Sequence, residues 1–436
     1  MEILLYVAGI LFMLVGLGLS IGLHEVGHLV PAKLFGVRVG QYMIGFGPRL
    51  WSKRIGETEY GFKALPLGGF ISMSGMYPAS DGKPARGIFS ALVQDARSAN
   101  DETIADGAEE RVFYRLPVWK RIIVMLGGPA MNLILAVLIF TLLASGIGLQ
   151  QGTTTISSVN ECVLPAGTSQ TECQPGDPAT PAAEAGVLPG DVLVSIDGAA
   201  VSTFAEATEI VQASPGQSLD MVVARGGENV DLTITPIAAE RTLTDASGRP
   251  KLDAQGEPIV SEVGYVGMLS QMGLVQQPIG TGAAMTADNV GRVASIIVTL
   301  PVKLWDVGVS LFTGSERDPD SPLSVVGVGR LAGEVAATDA PVLDRFAVLM
   351  SLLGSLNIAL FVFNLIPLLP LDGGHVAVAL WDGVRRAWAK LFRRPPPAPV
   401  DATRLVPLTI VVAVLLIGMG ALLMIADVVN PIVLFQ

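Results

Sequence analysis

Four uninterrupted apolar stretches constrain this 436-residue chain more than any motif does. Ile3 to Leu23, Ile122 to Leu149, Phe346 to Leu369 and Leu405 to Ala426 run without a charged residue. Each reaches the roughly 20 residues a helix needs to cross a hydrocarbon core. In lipid, backbone polar groups must find partners within their own segment, so such stretches are read as helices. With half its residues apolar and only 15% charged, the chain does not fit an ordinary soluble protein. The first run lacks the basic residue that precedes a cleaved signal, and it meets His24, Glu25 and His28 where a small-residue cleavage site would lie. It is read as a retained span, with a cleaved leader as the alternative.

The net charge of −11 matters less than where the cations sit, since basic residues are retained on the cytoplasmic side of a bilayer. Lys33 to Arg121 hold thirteen Lys and Arg, whereas the longer stretch Gln150 to Arg345 holds nine. Arg385, Arg386, Lys390, Arg393, Arg394 and Arg404 follow the third run. This places the first and third loops in the cytoplasm, and the central loop and both termini outside. The cations are dispersed and explained by topology, so nothing points to nucleic acid. Cys162 and Cys173 both fall in the outer loop, where an oxidising compartment favours a disulfide; two unpaired thiols are the alternative.

Between the first two runs, Val37 to Met76 alternates apolar and polar residues with Gly at the breaks, which predicts short strands beside the membrane. Tyr77 to Glu110 shows little periodicity and is read as a mobile cytoplasmic insertion. Gly280 to Phe312 has apolar residues at helical spacing, which suits an amphipathic helix on the outer membrane surface or against the spans. The Gly-rich segment Ser321 to Arg330 is short and apolar enough to dip into the membrane.

The chemistry concentrates in two places. His24-Glu25-Val26-Gly27-His28 sets two imidazoles four residues apart on one helix face, where they can grip one Zn²⁺ with the Glu beside its water. The chain has three histidines in all, and two are here, at the end of an apolar span where ionisable groups are costly. Catalytic zinc takes three protein ligands and one open position. The third candidate comes from Asn364-Leu-Ile-Pro-Leu-Leu-Pro-Leu-Asp-Gly-Gly-His375, which supplies Asp372 and, as a rival, His375. Pro367 and Pro370 should interrupt the helix just before Asp372. Asn132, beside Gly127 and Gly128 in the second span, reads equally as a packing residue or as part of the site.

The HExxH motif joined with N-x-x-P-x-x-x-L-D-G-G resembles the site-2 protease family of intramembrane zinc proteases, in its RseP-like bacterial branch. The GFGP and PLGG segments and the Gly127 to Asn132 GGPAMN segment extend the likeness. Ala185, Gly186, Gly190, Asp191, Ile196 and Gly198 resemble the signature of a PDZ domain, here a single one, serving either to capture a peptide or only as a steric filter. The resemblance implies that His24, His28 and Asp372 bind Zn²⁺, that Glu25 is the acid/base, and that Asn364 assists substrate binding. It further implies single-span membrane proteins as substrates, for example anti-sigma factors or signal-peptide remnants, with the lipid bilayer and a PDZ peptide ligand as partners. A zinc transporter and a silent PDZ scaffold are the competing readings.

The expected fold is an α-helical polytopic membrane protein of about four transmembrane helices, with a membrane-associated β-rich segment and an inserted extracytoplasmic PDZ (α+β) domain. The expected boundaries are span one at 1–36, β-strands at 37–76, a cytoplasmic loop at 77–117 and span two at 118–149. Linker and PDZ follow at 150–240, an outer region with the amphipathic helix at 241–344, span three at 345–380, a loop at 381–403 and span four at 404–428. The expected location is the plasma membrane, with the active site toward the cytoplasm and the PDZ domain outside.

Overall fold

The computed structural model describes residues 2–78, 89–104, 109–163, 173–242 and 259–432. The chain divides into two compact units, Met1–Ser145 with Pro278–Gln436, and Gly146–Gln277. The first opens with α1 (Glu2–Leu34), the apolar run carried on through the HExxH motif. Two strands follow as an antiparallel pair, β1 (Val39–Ile55) and β2 (Thr58–Met73), joined at Gly56, whose positive φ suits a residue without Cβ. Because β2 folds back, Gln41–Ile44 is paired with Glu59–Phe62 on one side and Gly69–Ser72 on the other. Val37, Val39 and Met73 bury themselves with Leu29 and Ala32 of α1, so the strands are welded to the end of the first helix that bears the histidines.

Part of the segment expected to be a mobile insertion lies outside the described residues, but Ser90–Glu102 forms α2. Its buried Arg97 pairs with Asp401 at 2.6 Å, and Asn100 Oδ1 accepts from the Tyr77 amide at 3.0 Å. Helix α3 (Val118–Thr141) then runs antiparallel to α1 and continues as a π-helical turn to Ile147. The two helices touch through backbone. A Cβ on Gly127 would stand 2.0 Å from the Gly27 carbonyl oxygen, and one on Gly27 would stand 2.2 Å from that of Gly127. Pro31, four residues on, has no N–H to offer the Gly27 carbonyl.

The second unit is built around a six-stranded antiparallel sheet. Its elements are β3 (Leu149–Val159), α4 (Pro181–Glu184), β4 (Val192–Ile196), β5 (Ala199–Ala200), α5 (Phe204–Gln212), β6 (Leu219–Arg225), β7 (Glu228–Ile234), β8 (Ile237–Thr242), β9 (Val260–Tyr265) and β10 (Met268–Val275). The sheet order is β10-β3-β4-β6-β7 with β5 on β4, and β8 pairs separately with β9. Alternation along β6 sends Leu219, Met221 and Val223 into a core with Ile156, Leu193, Ile196 and Ile234, covered by Ala207 and Val211 of α5. Asp191, buried beneath the turn before β4, accepts from Arg225 at 2.7 Å and from the Leu188 amide at 2.8 Å. The Arg225 guanidinium holds the Asp191 carboxyl below its ordinary pKa. Cys162 and Cys173 are joined as a disulfide. The unit extends past the expected boundary at residue 240, because β10 returns to pair with β3.

The first unit resumes with α6 (Gly280–Thr313), α7 (Val325–Ala337), α8 (Val342–Asn364), α9 (Asp372–Leu391) and α10 (Val406–Val429). Helix α8 runs parallel to α1: Phe12 meets Phe346, Gly16 meets Leu353, and Asn357 donates to Ser20 Oγ at 2.9 Å. Among the described residues five helices are long and apolar enough to cross a membrane, against the four expected, the fifth being α6. The ends of α6 bear on how to read it. Arg121 near the start of α3 pairs with buried Asp382 at 2.7 Å, and the Val400 amide just before α10 donates to that same carboxylate at 3.1 Å. Helices α3 and α10 therefore start from one end of the unit. Gly282 of α6 packs against Thr141 at the finish of α3, while Val307 packs against Leu423 and Ala426 near the finish of α10. Both ends of α6 thus meet helix ends on the opposite side from Asp382.

Candidate metal centre

His24, Glu25 and His28 occupy one buried turn of α1, at the level where α3 crosses. The third participant arrives from the break between α8 and α9. Leu365 to Leu371, with its two prolines, forms a tight non-helical turn containing a cis Leu369–Pro370 bond, and Asp372 is the first residue of α9. The two glycines that follow are required by this turn. A Cβ on Gly373 would lie 2.5 Å from the Ile366 carbonyl oxygen, and one on Gly374 would lie 2.5 Å from the Leu369 nitrogen.

Three ligand atoms converge. His24 Nε2 and His28 Nε2 are 3.2 Å apart, and they lie 3.2 and 3.3 Å from Asp372 Oδ2. A tetrahedral zinc with bonds of about 2.0–2.1 Å sets its ligand atoms roughly 3.3 Å apart, so this near-equilateral triangle has the required size. Its protonation supports the same occupant. His28 Nδ1 lies 2.7 Å from the Val124 carbonyl, which only accepts, so the proton is on Nδ1 and Nε2 presents a bare lone pair. His24 Nδ1 lies 3.1 Å from the amide nitrogen of buried Asn132, whose Oδ1 has no hydrogen-bond partner among the described residues. Turning that amide by half a revolution lets Oδ1 accept from Nδ1–H, which removes the orphan and bares His24 Nε2 as well. Two imidazole lone pairs and a carboxylate oxygen without a hydrogen-bond donor then face one another, an arrangement that a cation resolves.

Space for the ion is kept by an absent side chain. A Cβ on Gly128 would stand 2.3 Å from His28 Nε2 and 2.7 Å from His24 Nε2. Among the described residues, His24, His28 and Asp372 are the one group of His, Cys, Asp or Glu with metal-ligand spacing. His375, the rival third ligand, is not part of that group; its ring stacks on Tyr77 with centroids 6.1 Å apart. Glu25 is buried with its side chain against Gly69 of β2, where a Cβ would come within 2.9 Å of Glu25 Cγ. Asn364 ends α8, and its amide donates back to the Leu360 carbonyl at 2.9 Å rather than into the triangle. Two parts of the site were not singled out in the sequence. The Val124 carbonyl carries no sequence signal, and Gly69 is visible only as part of the PLGG turn.

Comparison with known proteins agrees with this chemistry. The description of peptidase family M50 matches residues 12–393. A zinc metalloprotease, Rip1, of Mycobacterium tuberculosis is 34% identical over 99% of this chain and 100% of its own length. Its namesake in Mycolicibacterium smegmatis is 32% identical over 98% of this chain and 99% of its own length. The metalloprotease MmpA of Caulobacter vibrioides is 28% identical, covering 87% of this chain and 88% of its own.

Proposed function

The chain belongs to peptidase family M50 and is a zinc metalloprotease, and from that premise we propose that it hydrolyses peptide bonds within the spanning segments of single-span membrane proteins. We assign zinc to His24, His28 and Asp372 and the acid/base role to Glu25. The observation that carries the reading is the triangle of donor atoms set among helices long and apolar enough to span a membrane. When bound, zinc supplies Lewis acidity for the scissile carbonyl and for water. Glu25 takes the proton of the attacking water and returns it to the leaving amine. Its burial beside the strands keeps this carboxylate away from competing solvent.

Peptide hydrolysis needs an extended backbone, whereas a spanning segment is a helix. The Gly69–Ser72 part of β2 runs past Glu25, and an unwound substrate can pair along that strand, replacing the hydrogen bonds it loses. Asn364, at the end of α8, would exchange its bond to Leu360 for one to that substrate strand. The orientation that fits the distribution of Lys and Arg puts the metal centre toward the cytoplasm and the Gly146–Gln277 unit outside. With that orientation α6 begins and ends on the outer side, which favours a helix lying along that face over a fifth crossing. The strands and two helices of Gly146–Gln277 support the PDZ reading of that unit, as a filter or peptide-capture module. Substrates of the anti-sigma or signal-remnant kind are the expected class.

The test is cleavage of a single-span reporter by the purified full chain in detergent, with zinc content measured on each variant. Glu25→Gln should keep its zinc and lose roughly 10²–10⁴-fold in rate, the usual contribution of a general base. Asp372→Ala should lose both metal and activity. Normal cutting by Glu25→Gln would overturn the mechanism, and zinc flux with no cleavage by the wild type would favour a transporter.

A further inference from the structure

Helix α9 leaves the metal centre at Asp372 with one face turned inward and the opposite face uncovered. Ala379, Asp382 and Ala389 are buried, whereas Leu380, Trp381, Val384, Trp388 and Leu391 recur at helical spacing on the other side and are each more than half exposed. Such a stripe is larger than the scattered apolar residues of a water-facing surface. It is also rich in indoles, which favour the boundary between headgroups and acyl chains. The helix follows directly on α8, a candidate span, so its place in the chain is at a membrane surface.

The stripe has a second feature. After α9 the chain turns at Arg393, which has positive φ, and comes back alongside the helix. A cavity of about 420 Å³ opens between them, walled by Trp381, Val384, Trp388 and Pro395, with Arg385 and Arg394 on its lining. Among the described residues neither guanidinium is paired with a carboxylate. Arg385 donates only a long bond, 3.4 Å, to the Ala398 carbonyl. An apolar wall of indoles with two uncompensated guanidinium groups is complementary to a ligand with an anionic head and a hydrocarbon tail. Guanidinium is the side chain best shaped for a phosphate.

We propose that this cavity is a binding site for an anionic phospholipid, with the phosphate held by Arg385 and Arg394 and the acyl chains laid along Trp381, Val384 and Trp388. The lipid seals the uncovered face of α9 and fixes the depth of the helix whose first residue is Asp372. The site lies outside the catalytic group and does not depend on which residues carry out cleavage.

The test uses the full chain, delipidated in detergent and offered phosphatidylglycerol and phosphatidylcholine of identical acyl chains in competition, with retained lipid counted by native mass spectrometry. Wild type should retain phosphatidylglycerol in preference. Replacing both arginines, Arg385→Gln with Arg394→Gln, should reduce that preference roughly thirtyfold, about fivefold for each cation near the surface. Lys390→Gln, on the same helix but outside the cavity, should leave it unchanged. Equal retention of the two lipids by wild type, or a preference that survives the double replacement, would overturn the proposal. An equal loss in Lys390→Gln would mean diffuse attraction and no site. Displacement of the lipid by inorganic phosphate alone would mean a free-anion site, which also overturns it.

Discussion

The two units hold themselves together in opposite ways. The Gly146–Gln277 unit is organised by what its side chains fill: Ile156, Leu193, Ile196, Met221, Val223 and Ile234 are nearly inaccessible and form a core of the kind that burial from water produces. Around the metal centre the controlling residues are those without side chains. Gly27, Gly127 and Gly128 let α1 and α3 meet through backbone, and Gly373 and Gly374 let the turn after α8 close on Asp372. The difference follows from the solvent. Lipid tails are as apolar as Leu, so helices in a bilayer gain little by burying large side chains and associate through close approach and polar contacts. The lesson concerns mutational tolerance: one unit should fail when atoms are removed, the other when they are added.

The sharpest attempt to break this contrast is Gly128→Ala. One methyl group there occupies the space between the two imidazole nitrogens, so the variant should contain no stoichiometric zinc and show no cleavage, while the sheet of the other unit stays intact by hydrogen exchange. Retained zinc would show that the helices can part without cost and would end the argument. Next in size is Asn132→Leu, which keeps bulk but removes the acceptor proposed for His24 Nδ1–H. Loss of such an orienting partner typically weakens metal binding 10–100-fold, measurable by competition with a chelator. Asn132→Asp, which retains an acceptor, should recover most of the affinity; equal loss in both variants would reduce Asn132 to a packing residue.

The complementary change is Met221→Ala in β6. It should destabilise the Gly146–Gln277 unit by about 2–5 kcal/mol, read as lost amide protection in β6, with zinc content unchanged. The smallest effect expected is electrostatic. The Asp191 carboxyl is held below its ordinary pKa by Arg225, so its stabilising contribution is complete above the unfolded value of about 3.9 and is lost as pH falls through the depressed folded value. The protection difference between wild type and Asp191→Asn in β6 should therefore be constant from pH 5 to 8 and shrink below about pH 4. A difference that grew on acidification would reverse the assigned sign.

What was legible in the sequence was whatever depends on local spacing. The apolar runs fall on helices, the four-residue interval sets His24 and His28 on one turn of α1, the stretch after Val37 forms a strand pair longer than the short strands expected, and Asp372 lies 3.2 and 3.3 Å from the two imidazoles. What was illegible depends on distant partners. Helix α2 is poor in apolar residues and is anchored by Arg97 to Asp401, some three hundred residues on. The boundary at 240 falls short because β10 pairs with β3 across more than a hundred residues, a register no local pattern encodes. Helix α6 satisfies the length and apolarity of a span, so composition alone cannot separate lying on a membrane from crossing it. An Asn within an apolar run reads the same whether it packs or orients a ligand, and only the imidazole it faces distinguishes the two.

The separation of the three proposed metal ligands along the chain has a consequence for biosynthesis. His24 and His28 emerge from the ribosome with the first helix, whereas Asp372 follows only after the whole of Gly146–Gln277 and the eighth helix. At ordinary elongation rates that interval is on the order of 20–70 s. Throughout it the nascent polypeptide carries an incomplete triad, and a truncation stopped before residue 372 should acquire no catalytic ion. If these three residues hold the ion, a chain still being made has no complete site until about its last sixth, a delay that by itself would keep the young protease silent.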